Sequence, residues 1–267
     1  MKNILPSFFY LCYNIFKKGV NMNYITYGDK NNKSLVFIHG LASTAELCFG
    51  ALLPYLSDYY VVLCELDCHY DESKKDIFSM NDCIEDIENY IINNLSGEVY
   101  GLCGFSMGAT MAVDLVSRAS IRAERLFLDA AITIEMGLAA KPFAYAFAIG
   151  TDRIKKGKFI PKFMLDYFMG KSNDSASEMM YTNITKKTIL NACKTLYHYH
   201  VSDNLKNFNK PVSFLMGSEE AIPKKSEAVL RKYLPQMKTE VFEGKGHGQF
   251  LHEEPKLYAE KLLDFLK

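Results

Sequence analysis

Two hydrophobic rhythms divide this chain. Short continuous apolar runs, such as SLVFIHG at 34–40 and YYVVLCELD at 59–67, have the length of strands buried on both faces of a sheet. MNYITYG at 22–28, EVYGLCGFS at 98–106, AERLFLDAA at 123–131, PVSFLMGSEE at 211–220 and KTEVFEGKGH at 238–247 also read as strands, some ending in a turn or loop. Between them lie runs with helical spacing: TAELCFGALLPYL, MGATMAVDLVSRA, KKSEAVLRKYL and PKLYAEKLLDFL. In SMNDCIEDIENYIINNL the apolar positions Met80, Ile84, Ile87, Ile91 and Ile92 form one stripe, with acids on the other face. Strands that alternate with helices predict an α/β fold, with a mostly parallel central sheet and helices on both faces.

One stretch breaks the alternation. From about Ile132 to Phe208 there is no buried strand, and KPFAYAFAIG, IPKFMLDYFMG and KKTILNACKTLYHYH read as short helices joined by polar loops such as GKSNDSASE. Such an insertion predicts a helical cap over the sheet, with most of its Phe, Tyr and Met packing as core. The expected organisation is a core of residues 22–131 and 209–267, a helical cap of 132–208, and an N-terminal extension of 1–21. Those first 21 residues hold an apolar stretch broken by Pro6, Ser7 and Asn14. It is too short to span a membrane, and no A-x-A-like cleavage site follows. KKGVNM before Met22 fits a translated ribosome-binding site, so the working protein is expected to begin at Met22.

Composition narrows the function classes. The chain has 267 residues, 49% apolar and 23% charged, with a formal net charge of zero, as in an ordinary globular domain. KNNK and RIKKGK are its densest basic runs, and neither makes a nucleic-acid footprint. Seven cysteines are scattered without a C-x-x-C pair. Several sit inside apolar runs, where Cys acts as a small buried hydrophobe. That pattern predicts a reducing, cytoplasmic setting and no disulfide framework, and no His/Cys spacing supports a metal site.

The chemistry starts at GFSMG, 104–108. A serine between glycines, after a strand and before a helix, has the context of a nucleophile elbow. The tight turn needs both glycines, and the helix N-terminus beyond Ser106 favours a developing oxyanion. The hydroxyl needs a base. Of six histidines, His247 in EGKGHGQF stands on a loop after a strand and ahead of the last helix. His198 and His200 fall in the insertion, and His252 is too close to the final helix. His39 reads as a brace for its loop. An orienting acid is expected after a strand between the insertion and His247, where FLMGSEEAIP offers Glu219 and Glu220; Asp129, ending LFLDAA, is the alternative acid. Met107, after the serine, supplies one oxyanion-hole N–H, and the loop in FIHGLAST supplies the other from Leu41.

With HG at 39–40, GFSMG at 104–108 and GKGHG at 244–248 in order, the chain resembles the α/β-hydrolase fold family over nearly its whole length from Met22. The resemblance implies a serine hydrolase acting on an ester, thioester or amide of a small molecule, without metal or organic cofactor. It also selects Glu220, which stands where relatives carry the Asp of G-x-x-D before a proline. The same scaffold implies lyases, C–C hydrolases and acyltransferases as alternatives, and a ligand-binding protein as a reading outside catalysis. The loop DCHYDES lacks the glycines that relatives carry there and is expected to bring His69 or Asp71 toward the mouth of the site.

Overall fold

The computed structural model describes residues 22–70, 78–162, 166, 178–181 and 183–267. Residues 1–21, Asp71 and the GKSNDSAS stretch therefore lie outside the described residues. Nine strands are assigned among them: β1 Asn23–Tyr27, β2 Ser34–Ile38, β3 Tyr60–Glu65, β4 Glu98–Val99, β5 Gly101–Phe105, β6 Arg122–Ala123, β7 Leu126–Asp129, β8 Val212–Gly217 and β9 Lys238–Phe242. Seven form one sheet in the order β1-β3-β2-β5-β7-β8-β9. Only the β1–β3 pair is antiparallel. The two-residue strands β4 and β6 pair separately.

Alternate residues of the inner strands feed two cores. Val36, Ile38, Val62, Leu102, Leu126, Leu128 and Phe214 belong to one hydrophobic cluster. Leu35, Phe37, Leu63, Cys103, Phe127 and Leu215 belong to the other. A period of two sends neighbours to opposite faces, so a strand covered on both faces must be apolar throughout. That is why the runs read as continuous. The first face is covered by α2 (Met80–Asn94) and α3 (Met107–Arg118), the second by α1 (Ala45–Phe49) and the last helix, α8 (Pro255–Leu266). In α2 the buried stripe is Met80, Cys83, Ile84, Ile87 and Ile91. Ile92, expected in that stripe, is 43% exposed instead, because a stripe centred on Ile84, Ile87 and Ile91 turns it outward. Ser79 caps α2 by accepting the Asp82 N–H at 3.2 Å.

Between β7 and β8 the chain leaves the sheet. α4 (Ala140–Lys155) and α5 (Lys186–Leu196) pack on each other there. Ala140, Ala144 and Ala148 form the buried face of α4, so small side chains let the two helices approach closely. Two further helices follow β8 and β9: α6 (Ala221–Leu230) and α7 (Gln249–Glu253). The chain runs from β2 outward to β3 and then returns to the other side of β2 at β5. The crevice beyond the carboxyl ends of β2 and β5 is thus a topological switch point, where ligands bind in open α/β sheets. The residues singled out at 39–41 and 104–108 stand at these two ends. No helix among the described residues is long and apolar enough to cross a membrane.

Candidate active site

Ser106 has φ 55° and ψ −117°, a combination that L-residues adopt only when their surroundings impose it. Three features impose it here. Its N–H donates to the Asp129 carbonyl at 2.8 Å, and its carbonyl accepts the Thr110 N–H at 3.1 Å. The flanking glycines also remove two clashes. A Cβ on Gly104 would stand 2.5 Å from the Gly108 carbonyl oxygen, and one on Gly108 would stand 2.0 Å from that of Ile38. The first glycine lets α3 sit against β5, and the second presses α3 onto the end of β2. Met107 is the first residue of α3, where N–H groups have no intrahelical partner. Leu41 lines the cavity in front of Ser106.

Three side chains meet at this point. His247 Nε2 lies 2.9 Å from Ser106 Oγ. On the other edge of the ring, Nδ1 lies 2.6 Å from Glu220 Oε1. The second carboxylate oxygen, Oε2, accepts the Gly217 N–H at 2.5 Å. A carboxylate can only accept at Nδ1, so that nitrogen carries the proton and Nε2 faces the serine hydroxyl as an acceptor. The Glu220 side chain is 3% exposed and that of His247 19%. The acid is therefore desolvated behind the ring, while the ring opens on the cavity. The chain Glu220–His247–Ser106 can take a proton from a hydroxyl and return it to a departing group.

The loops that carry the acid and the histidine are laced together. Ser218 N–H donates to the Phe242 carbonyl at 2.9 Å and Glu219 N–H to the Lys245 carbonyl at 3.2 Å. Ser218 Oγ accepts the Gly244 N–H at 2.9 Å. Parallel pairing of β8 with β9 aligns the two loops, and these bonds set their register. Gln249 was not singled out in the sequence, yet it holds the histidine loop. Its Oε1 accepts the Gly246 N–H at 2.9 Å, and its Nε2 donates to Glu253 at 3.1 Å. Phe105 supports the imidazole from the side, with ring centres 4.9 Å apart. A buried glutamine one helical turn from a surface glutamate gives no local signal of such a role.

The rival acids are placed elsewhere. Asp129 is buried, and its carboxyl accepts the Tyr258 hydroxyl. Burial raises its pKa well above the carboxylate range, and the neighbouring Glu220 charge adds to this. Glu219 is exposed and makes no side-chain hydrogen bond or ion pair among the described residues.

The other histidines divide as follows. The ring of His39 accepts the Leu66 N–H at 3.0 Å and contacts the Gly40 carbonyl at 2.8 Å, bracing the Gly40 turn as expected. His198 and His200 are exposed and stand 3.7 and 3.8 Å from Glu135. His252 pairs with Glu178 at 3.0 Å. His69 departs from expectation. It is fully buried, edge-on to His39 and to Phe78, and does not reach the cavity. The polar spelling of DCHYDES suggests a surface loop, but Phe78 packs against this residue. The ring bonds the Asp67 carbonyl at 2.8 Å, and burial lowers its pKa to about 3, so it stays neutral.

Above Ser106 is a cavity of about 220 Å³. Its walls are mostly apolar: Ile132, Phe143, Phe147, Met179, Leu196 and Tyr197 come from the segment between β7 and β8. That segment is tied to the loop after β2, because Tyr181 N–H donates to the Ala42 carbonyl at 2.9 Å. No group of three or more His, Cys, Asp or Glu among the described residues is arranged to hold a metal ion. All six described cysteines are buried, and none is in a disulfide.

Comparisons with known proteins agree with this architecture. The chain matches the Alpha/beta hydrolase family over residues 35–261. No curated protein matches it in sequence. Among solved structures, a Desulfitobacterium hafniense protein assigned to the alpha/beta hydrolase family superposes with a TM-score of 0.81 at 22% identity, covering 91% of this chain and 100% of its own. A structure from a study of Nitrososphaera gargenis carboxylesterases gives 0.74 at 16% identity, covering 96% and 97%. An esterase from Thermogutta terrifontis gives 0.73 at 18% identity, covering 92% and 93%. At these identities the likeness concerns the fold.

Proposed function

The chain belongs to the alpha/beta hydrolase family, and from that premise we propose that it is a serine hydrolase that cleaves an ester or thioester of a small to medium apolar substrate through an acyl-enzyme on Ser106. The observation that carries this reading is the hydrogen-bonded chain from Glu220 through His247 to a serine held at positive φ. His247 Nε2 takes the proton of Ser106 as its oxygen attacks the substrate carbonyl. Glu220 keeps the proton on Nδ1 and stabilises the imidazolium that forms. The N–H groups of Leu41 and Met107 receive the oxyanion, and His247 then delivers its proton to the leaving group. Water enters by the same steps in reverse and frees the acid. Removing one oxyanion donor typically costs ~10²–10³-fold in rate.

The segment 132–208 acts in this reading as a cap that closes an apolar cavity over the serine. The aromatic and methionine lining supports an apolar acyl or alcohol group. Buried cysteines outside any disulfide, among the described residues, suit a cytoplasmic enzyme.

The test is fluorophosphonate labelling with intact-mass readout, on the wild type beside Ser106→Ala. One adduct on the wild type and none on the variant is expected. Folded wild type that takes no adduct refutes the activated serine and leaves a binding protein on a hydrolase scaffold.

A further inference from the structure

The described residues of the cavity wall carry acidic side chains. Besides Glu220, which is engaged by His247, the titratable carboxylates that line it are Asp166 and Glu219. Among the described lining residues there is no Lys or Arg. Two described cations beside this lining are already paired. Lys162 Nζ stands 3.1 Å from Asp166. Lys245, next to the histidine loop, stands 3.1 Å from Glu253 and 2.6 Å from Glu254. The N-terminus of α6, whose first residues Ala221 and Ile222 also line the cavity, would attract an anion if left bare. Glu220 is its N-cap residue, with Glu219 beside it. Two carboxylates thus stand beside that positive end, although the Glu220 side chain turns to His247 and the Gly217 N–H and does not cap the helix.

We infer that the site selects uncharged and cationic esters or thioesters against anionic ones, and that Glu219 is the residue that sets this preference. This inference rests on the hydrolase reading above and names the substrate class within it. Asp166 contributes less, because Lys162 offsets its charge. Glu219 is exposed, and its carboxylate has no partner among the described residues, so its full charge acts at the mouth of an apolar cavity. A substrate with a carboxylate or phosphate on its leaving group meets that charge with no compensating cation among the described lining residues. One with a quaternary ammonium group meets it as an attraction, strengthened by the low-dielectric walls.

Three butyryl thioesters of nearly equal bulk test this on the full chain, with released thiol as the readout. They are butyrylthiocholine, its neutral 3,3-dimethylbutyl isostere, and the thioester of 3-mercaptopropanoate. At low salt, kcat/KM is expected to fall in that order, with steps of roughly three- to tenfold from one screened charge several ångströms away. The readout is the ratio of each charged substrate to the neutral one. Glu219→Gln should bring both ratios toward one, and Glu219→Lys should reverse the order. Asp166→Asn should move them less, and 0.5 M salt should shrink them in the wild type. Ratios near one in the wild type, or ratios that Glu219→Lys leaves unchanged, overturn the inference while the hydrolase reading stands. Turnover of none of the three by folded wild type overturns both.

Discussion

The ends of β7 and β8 lie side by side in the sheet, and each delivers a carboxylic acid to the region behind Ser106. Their fates differ. Asp129, the last residue of β7, is shut into the protein under Tyr258 and held toward its neutral form by burial. Glu220 lies three residues beyond Gly217, the last residue of β8. It gains the reach to put one oxygen on His247 and the other on the Gly217 N–H. An acid that ends inside the sheet layer is desolvated without a cation or an imidazole to face. An acid carried past the edge on a turn meets the loop from the next strand. Position relative to the edge, more than acid identity, separates an acid shut into the sheet layer from a carboxylate set against the imidazole.

Substitutions at the two acids test this contrast, the largest effect first. Glu220→Gln keeps the shape but lets the amide N–H₂ face Nδ1, which favours the wrong tautomer. Turnover of a neutral ester should fall by roughly 10²–10⁴-fold, while Glu220→Asp, one methylene shorter, should retain more. A Glu220→Gln enzyme within about threefold of wild type would remove Glu220 from the orienting role, since effects on proton transfer exceed that. Asp129→Asn should change turnover far less, because the Asp129 carboxyl is engaged by Tyr258 while the imidazole is held by Glu220.

The next effect is on stability. Tyr258→Phe removes the hydroxyl that the Asp129 carboxyl accepts and leaves a buried polar group short of a partner, at a cost of ~1–3 kcal/mol. Denaturant unfolding at constant pH measures it, and an unchanged midpoint would show that the pair contributes nothing.

The smallest effect is a pH dependence, and its sign separates two buried groups. The Asp129 pKa is raised on folding, so the folded state binds the proton more tightly. Its contribution to stability is full below the ordinary carboxylate pKa and is lost as pH rises through the folded value. His69 has the opposite linkage. Its pKa falls from 6.5 to about 3, so unfolded chains bind the extra proton, and stability is lost as pH drops from about 6.5 toward 3. Asp129→Asn should flatten the first slope, and His69→Leu the second. Unfolding midpoints taken from pH 3 to 8 would show either slope surviving its substitution, and that outcome would assign it to other groups.

Much of this molecule was legible in the sequence. Continuous apolar runs marked the buried strands, because a strand covered on both faces has no polar side to show. GFSMG and GKGHG located the serine and the histidine, because a tight turn at a strand end needs particular residues within a few positions. Those constraints are local, and local constraints leave local spelling. The choice among Asp129, Glu219 and Glu220 was left open by the residues themselves and leaned to Glu220 only through the family resemblance, by its place after Gly217 and before Pro223. It was decided by the parallel pairing of β8 with β9, which laces the two loops together and turns one carboxylate of three toward the imidazole. The burial of His69 under Phe78 and the outward turn of Ile92 were likewise set by what packs against them. So was the role of Gln249, whose side chain braces the histidine loop. Contacts between residues distant in the chain depend on how strands and helices are laid side by side. Only the tertiary structure contains that arrangement, and with it the acidic side chains among the described residues of the cavity walls.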